Sequence, residues 1–383
     1  MRVSLTQEQA DLAETVRHLF TRECTPELVR KLQASDSLTE VKELWDALAA
    51  TGVFGLTLPD EVGGSDASLF ELGLVFREAG RALCPTIVYS TAALGLAIRR
   101  LATPEQQQHW LPGIAAGRTR GSVAVADPGD GSDVRPRLTA VRRDGGWSVS
   151  GSLSFVANAD VADALLVTAR TADGEPERFL AFLVTSDQPG VRCERQHTFS
   201  RDVQCRVEFD NVLVTAPTHV LGTGDNGDEG GVRDQDLRWV SNAITALQCM
   251  EMAGGAEAVL DRTVGYIKVR HQFDRPIASF QAAQHHVANM RIAIDGARLA
   301  SYQAAWWVGR GDLAEREVAI AKLKCNEAYK RTTLDAHQLH GGMGYLRETD
   351  LHLWSERAKA TELLGGSWDV QIRRIEQALG LAG

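Results

Sequence analysis

No apolar run in this chain reaches the length of a membrane span. Positive charge is not in excess: 41 Lys and Arg stand against 50 Asp and Glu, a net charge of −9. That balance excludes a general nucleic-acid binder. Cysteine is sparse and scattered, at Cys24, Cys84, Cys193, Cys205, Cys249 and Cys325. Without paired spacing a disulfide framework is not expected, and a reducing cytoplasm fits. The opening MRVSLTQEQADLAE lacks the apolar core of a signal peptide. Histidines occur at His285-His286 and His337-x-x-His340, but H-E-x-x-H and Cys/His metal spacings are missing, so no metal site is expected. There is no internal repeat and no low-complexity segment.

What is present is ordinary in bulk. The 383 residues, 44% hydrophobic and 24% charged, suffice for two or three domains with sizeable cores. Thr6 and Gln9 have the spacing of a capping box, and Leu12, Val16, Leu19 and Phe20 form the stripe behind it. Further helices are expected over about 38–51, 69–83, 89–101 and 104–114. Gly52 to Gly64 reads as a loop. From about 119 the pattern turns to short apolar runs, Ala164–Ala169, Phe179–Val184 and Cys205–Val214. Val207 and Phe209 answer Val212 and Val214 across Asp210-Asn211, which predicts a hairpin. Gly222 to Gly231 reads as a loop leading back to helices. The fold class is therefore α+β. Residues 1–118 form a helical domain, 119–225 a small antiparallel β domain, barrel- or sandwich-like, and 226–383 a helical bundle.

The stretch Tyr266–His286 stands out. Arg270 closes a helix whose apolar residues recur three and four apart, and Asp274-Arg275-Pro276 is expected to break it. Ser279 is placed to cap the next helix. From the residues alone this is first an ordinary helix–turn–helix corner. Second, it is a diphosphate clamp built from a guanidinium, an amide donor and a helix start. The Trp306-Trp307 pair reads either as core or as an interface patch.

R-x-Q-F-x-x-P-I-x-x-F-Q, over 270–281, resembles the signature of the acyl-CoA dehydrogenase family. Gly52 to Gly64 is similar to that family's G-x-x-G-L-x-x-P-x-x-x-G-G segment. The resemblance covers nearly the whole chain and implies the family's fold: an N-terminal helical domain, a middle β domain and a C-terminal four-helix bundle. It implies FAD as cofactor, its pyrophosphate held across a subunit interface by the corner of Arg270, Gln272, Phe273, Phe280 and Gln281. The family's glycine after the phenylalanine is Asp274 here.

Two segments then take a meaning beyond a plain loop and a plain core strand. Ala124 to Asp133 is a strand running into a glycine-rich loop that offers backbone N–H groups to an anion or a planar ring. The resemblance places Val125, Ala126 and Ser132 along the flavin, and Ser132 also along the acyl thioester. The family's Thr-Glu-Pro is Ala126-Asp127-Pro128, which removes one flavin hydrogen bond worth roughly 0.5–1.5 kcal/mol. Phe155 and Ala157 stand where the family has Trp-Ile-Thr or Trp-Ile-Ser. The phenyl ring can still pack on the isoalloxazine, but Ala157 has no hydroxyl for it. Gln338, Gly341 and Gly342 match Gln-x-x-Gly-Gly-x-Gly, which in the family meets the FAD of a neighbouring subunit; on its own it is a helix stop.

The catalytic glutamate is missing. Through Arg357-Ala358-Lys359 its usual position falls on Gly365, with Gly366 next to the substrate. Through Val259-Leu260-Asp261 the alternative position falls on Ile244. Thr245 stands where many relatives have arginine. Glu251 and Glu362 are the candidate replacement bases, each at least a helical turn away, and Asp369 is the other nearby carboxylate.

Three functions follow as expectations. The first is an α,β-dehydrogenase of an acyl thioester, on coenzyme A or an acyl carrier protein, passing electrons to an electron-transfer flavoprotein. The second is a supporting subunit of a heteromeric dehydrogenase, such as those of lipid or steroid catabolism. There a glutamate-bearing paralogue supplies the base within a tetramer. The third is a monooxygenase- or desulfinase-like relative.

Overall fold

The computed structural model describes residues 4–35, 41–143, 145–172, 177–222 and 231–381. Helices come first: α1 (Gln7–Glu23), α2 (Pro26–Ala34), α3 (Lys42–Ala50), α4 (Leu69–Arg81), α5 (Thr86–Leu101) and α6 (Pro104–Ala115). Strands follow: β1 (Gly121–Ala124), β2 (Leu138–Arg143), β3 (Gly146–Ala157), β4 (Ala164–Thr171), β5 (Phe179–Val184), β6 (Val191–Gln196), β7 (Gln204–Val214), β8 (Val220–Leu221) and β9 (Gly231–Val232). Next come α7 (Asp234–Val269) and a ribbon of β10 (His271–Gln272) and β11 (Arg275–Pro276). The chain ends in α8 (Gln281–Gly309), α9 (Glu315–His340), α10 (Leu351–Leu363) and α11 (Trp368–Ala378). The expected order of helices, strands and helices is present. The helix α2 was not anticipated: its apolar face is Leu28, Val29 and Leu32 alone, in a helix of nine residues. The loop expected over Gly222 to Gly231 has its interior, 223–230, outside the described residues. Among the described residues no helix is long and apolar enough to cross a membrane.

Packing divides the chain into two compact units. One holds Lys31–Ser68 and Pro85–Ile244, the other Met1–Arg30, Leu69–Cys84 and Thr245–Gly383.

In the first unit the sheet runs β6-β7-β3-β2-β4-β5-β8, with β1 beside β4 and β9 beside β5. β4 pairs antiparallel with β5, but parallel with both β1 and β2. The sheet is therefore mixed, not antiparallel. β2 and β3 intervene between β1 and β4, the kind of crossover a parallel pair requires. Both faces of β4 are covered: Leu165 and Val167 lie in one apolar cluster, Ala164 and Leu166 in another with Leu94 and Ile98 of α5. That is why the segment reads as an unbroken apolar run.

The hairpin expected at Asp210-Asn211 does not form. β7 runs straight through, and Asp210 and Asn211 together oppose the single residue Ser150 of β3. Asn211 adopts φ +50, and its N–H donates to Ser150 Oγ at 3.2 Å. This is a β-bulge, which needs the same left-handed residue that a tight turn needs.

In the second unit α1 begins with the expected capping box of Thr6 and Gln9. Glu78 of α4 is buried and takes a two-pronged hydrogen bond from Arg17, at 2.8 and 3.0 Å. α4 and α7 touch backbone to backbone through two glycines. A Cβ at Gly80 would lie 2.0 Å from Glu251 O, and one at Gly254 would lie 1.8 Å from Arg77 O. Trp306 and Trp307 meet edge to face at 4.8 Å, with Trp307 exposed. α7 stops at Val269, before the expected Asp274-Arg275-Pro276 break. The chain reverses on Phe273 and Asp274, both with positive φ. Ser279 does not cap α8: its hydroxyl donates to Pro276 O at 2.8 Å, and Phe280 takes the cap position.

The bulge makes a direct prediction. Asn211→Gly keeps the left-handed backbone and leaves urea-unfolding stability nearly unchanged. Asn211→Val, which cannot hold φ +50 without strain, lowers it by roughly 1–2 kcal/mol.

Candidate functional site

In the β-rich unit the strand β1 runs out through Val125 and Ala126 into the glycine-rich loop. Several of the amides expected as free donors are taken within the loop. Asp127 N–H donates to Asp133 O at 2.8 Å, and Gly129 N–H to Asp127 Oδ1 at 2.8 Å. Asp133 N–H donates to Asp130 O at 2.9 Å. The Ser132 amide and hydroxyl both donate to Asp130 Oδ1, at 3.0 and 2.5 Å. Arg137 bridges Asp127 and Asp133 from outside, and Ser241 Oγ donates to Gly131 O at 2.5 Å. The loop is stiffened by its own carboxylates, and Asp130 claims the Ser132 hydroxyl.

Phe155 lies at a bulge near the end of β3, opposite β7, with φ +56, and the residue is 48% exposed. Left-handed backbone costs such a residue about 1–2 kcal/mol. Its N–H donates to Gln196 Oε1 at 2.8 Å. The following turn is fixed from several sides. Ser122 Oγ donates to Ala157 O at 2.5 Å, Asn158 N–H to Val203 O at 3.0 Å, and Asn158 Nδ2 to Ser90 Oγ at 3.1 Å. The strand end thus presents an aromatic face on a rigid base. The hydroxyl beside Ala157 is that of Ser122, which is turned to a carbonyl.

In the helical unit Arg270, Gln272, Phe273 and Gln281 are all exposed, and Phe273 is 88% so. No ion pair among the described residues claims the Arg270 guanidinium. Phe280 lies under Arg275 at 4.0 Å and meets Phe273 edge to face at 6.2 Å. Tyr266, in the last turn of α7, stacks on His340 at the end of α9, with ring centroids 4.3 Å apart. That contact joins the last turn of α7 to the residue that precedes Gly341 and Gly342. Both glycines are exposed, with nothing within 4 Å of an added Cβ, and Gln338 is exposed too.

Gly365 and Gly366 follow α10 with φ +74 and +115. Neither replacement carboxylate is free. Glu251 is buried against Arg357 at 3.1 Å, and Arg357 also donates to Cys84 O at 3.2 Å. Glu362 is held by Lys330 at 2.6 Å and Lys359 at 2.9 Å. Burial pushes the Glu362 carboxyl up, but the two lysine hydrogen bonds outweigh it and hold it below its usual range. Asp369 is exposed, and Ile244 packs into the core of the β-rich unit.

Sequence reasoning missed Lys322. It is fully buried on α9 and donates to Thr361 O at 2.5 Å and Asn326 Oδ1 at 2.8 Å. No carboxylate among the described residues is in ion-pair contact with it. Desolvation lowers its pKa from 10.5 to about 8. Its signal in the sequence was position alone: it follows Val318 by four and precedes Cys325 by three, on a buried helix face.

Three family models match consecutive parts of the chain. They are the acyl-CoA dehydrogenase N-terminal domain over residues 6–118, the middle domain over 122–212 and the C-terminal domain over 244–380. The acyl-CoA dehydrogenase FadE27 of Mycobacterium tuberculosis is 30% identical over 389 residues, covering 99% of both proteins. Among solved structures, the ChsE4–ChsE5 complex from Mycobacterium tuberculosis matches with a TM-score of 0.88 and 29% identity over the whole of both chains. A variant of the Tcur3481–Tcur3483 steroid ACAD matches with a TM-score of 0.85 and 29% identity over 98% of both chains.

The buried ammonium makes stability depend on pH in a stated direction. Folded Lys322 loses its proton near pH 8, whereas the unfolded side chain keeps it to about 10.5. Between those values the unfolded state binds more protons, so stability rises with pH. The drop from 10.5 to about 8 corresponds to roughly 3 kcal/mol. Measured against Lys322→Met, the wild-type protein gains stability in chemical denaturation from pH 8 to 10.5, and the difference is flat below pH 7.

Proposed function

The chain belongs to the acyl-CoA dehydrogenase family, and we propose that it serves, with FAD, in the α,β-dehydrogenation of an acyl thioester as the subunit that completes a flavin site. In this reading a glutamate-bearing paralogue supplies the base. The observation that carries the proposal is the state of the carboxylates. Glycine and isoleucine stand at 365 and 244, while Glu251 and Glu362 are bound by cations. Removal of the α-proton needs a carboxylate within hydrogen-bond reach of it, and one clamped by two ammonium groups is a weakened base.

The residues present fit the cofactor. Phe155 displays an aromatic face at the cost of backbone strain, which suits a planar ring. Arg270, whose guanidinium no ion pair among the described residues claims, offers it to a diphosphate, with Gln272, Phe273, Phe280 and Gln281 near it in the corner. Gln338, Gly341 and Gly342 offer exposed backbone beside it. Val125, Ala126, Ser132 and Ala157 would line the flavin along the β-rich unit, and Ser132 and Gly366 would meet the substrate. Bound FAD supplies the hydride acceptor for the β-hydrogen. The chain's own residues orient the cofactor and exclude water.

The finer assignments follow from the same reading. The thioester is carried by coenzyme A or an acyl carrier protein, and electrons leave through an electron-transfer flavoprotein. The assembly is a tetramer in which this chain pairs with its paralogue. Both solved relatives described above are named for two components, and one is named a steroid enzyme, which supports a heteromer acting in lipid or steroid catabolism. The six cysteines are all free, in keeping with a cytoplasmic setting.

The test is an anaerobic titration of the purified chain with a panel of acyl-CoAs, following the visible flavin spectrum, repeated with the paralogue present. Bleaching is expected only with the paralogue. Bleaching by the chain alone would overturn the supporting role and make it a dehydrogenase in its own right. Rapid oxygen consumption by the reduced protein would instead point to monooxygenase-like chemistry.

A further inference from the structure

The lattice behind Gly365 accounts for each carbonyl at the end of α10. Leu364 N–H donates to Ala360 O at 3.1 Å, and Gly366 N–H to Leu363 O at 3.3 Å. Lys322 Nζ takes Thr361 O at 2.5 Å and, more distantly, Glu362 O at 3.5 Å. Gln371 Nε2 then reaches Gly365 O at 3.0 Å and Gly366 O at 3.2 Å, and Asn326 Nδ2 reaches Gly366 O at 3.2 Å. One buried amine and two amides therefore hold the turn that follows the helix.

The two glycines of that turn differ in what they can carry. A Cβ at Gly366 would lie 2.4 Å from Gln371 Nε2 and 2.8 Å from Val370 Cγ1, so a side chain there displaces the lattice. A Cβ at Gly365 would meet Gln248 Oε1 at 3.3 Å, Thr245 Oγ1 at 3.5 Å and Lys322 Cε at 3.6 Å. The first is tight but made by the end of a flexible amide, the other two are ordinary, and both polar atoms come from neutral groups; at φ +74 a side chain is strained, equally for Glu and for Gln. Of these three nearest atoms, only Lys322 Cε belongs to a charged side chain.

The groups that face Lys322 leave that charge standing. Cys249 and Glu251 face it from α7, Cys325 from its own helix and Glu362 from α10. The Glu251 charge is met by Arg357, and the Glu362 charge by Lys330 and Lys359. From α11, Arg374 adds a second buried cation, bonded to Gln371 Oε1 at 3.3 Å.

We infer that Lys322 is the positioning residue of this turn and that its buried charge makes position 365 a seat for a carboxylate, which the chain leaves empty. The inference rests on the reading above in assigning 365 to the base. It adds that the base is missing as a single side chain while its support stands.

The experiment compares melting of Gly365→Glu and Gly365→Gln, which differ only in the charge, on the wild-type and Lys322→Met backgrounds. With Lys322 present, Gly365→Glu is expected to melt roughly 1–2 °C above Gly365→Gln at pH 7. The lead closes as the pH falls, because a carboxylate held by a cation contributes fully above its unfolded pKa, about 4.3, and loses that contribution as the pH falls on through its lowered folded value. With Lys322→Met the lead vanishes or reverses. An equal difference on both backgrounds, or Gly365→Glu melting below Gly365→Gln with Lys322 in place, overturns the inference. Should Lys322→Met not fold, the wild-type arm decides alone. Gly366→Ala is further expected to lower the melting temperature more than Gly365→Ala, and equal losses would remove the distinction between the two positions. These melts need neither flavin nor thioester. Anaerobic bleaching of Gly365→Glu by acyl-CoA tests the dehydrogenation reading separately.

Discussion

A buried ammonium with no carboxylate in contact must be surrounded by oxygens that belong to the backbone or to amides, because an unpaired charge in an apolar interior costs many kcal/mol. Lys322 meets that demand with the end of α10 and with Asn326. The demand works in both directions. It fixes where α10 ends, since Thr361 and Glu362 have carbonyls that need donors. It also draws Asn326 and, through the glycine carbonyls, Gln371 into one lattice. Elsewhere in the same unit charges are met by charges: Glu78 by Arg17, and Glu257 by Arg77. Lys322 has no ion pair among the described residues, and it donates into the end of the helix that precedes the turn at Gly365.

Part of the backbone strain sits where the motifs sit. Phe155, Asn158, Phe273 and Asp274 are not glycines, yet all have positive φ. At Asp274 the family has glycine, and φ +63 explains why: aspartate is among the few side chains that tolerate that region. Phe273 and Phe155 are not, and both hold an aromatic ring out toward solvent. Phe273 meets Phe280 edge to face and the Phe155 N–H is held by Gln196, so each strained residue is fixed by its own neighbours.

Much of the fold was legible because its helices and strands bury stripes. The box at Thr6 and Gln9 and the run from Phe179 to Val184 are as expected. The failures share a cause. Asp210-Asn211 and Asp274-Arg275-Pro276 were read as local punctuation, but local signals specify only a backbone conformation. Whether φ +50 becomes a turn or a bulge depends on the strand opposite, here Ser150 of β3. Ser279 likewise has a capping side chain whose acceptor lies behind it. Parallel pairing of β1 and β2 with β4 is a long-range fact with no short-range signature.

The site was legible to different depths for the same reason. Arg270, Gln338 and Gly341 belong to contiguous motifs, and a motif survives without knowledge of packing. Glu251 and Glu362 were named by spacing along a helix, which says nothing of what stands across from them; Arg357, Lys330 and Lys359 do. Lys322 carried no motif at all. It occupies a buried helix position where leucine would be ordinary, and only a packed structure reveals the oxygens that receive its ammonium. A lysine can enter a core only where enough oxygens converge, and such convergence is costly to assemble. Position 365 lies against that convergence, so the chain retains the most expensive part of a carboxylate's surroundings while lacking the carboxylate itself.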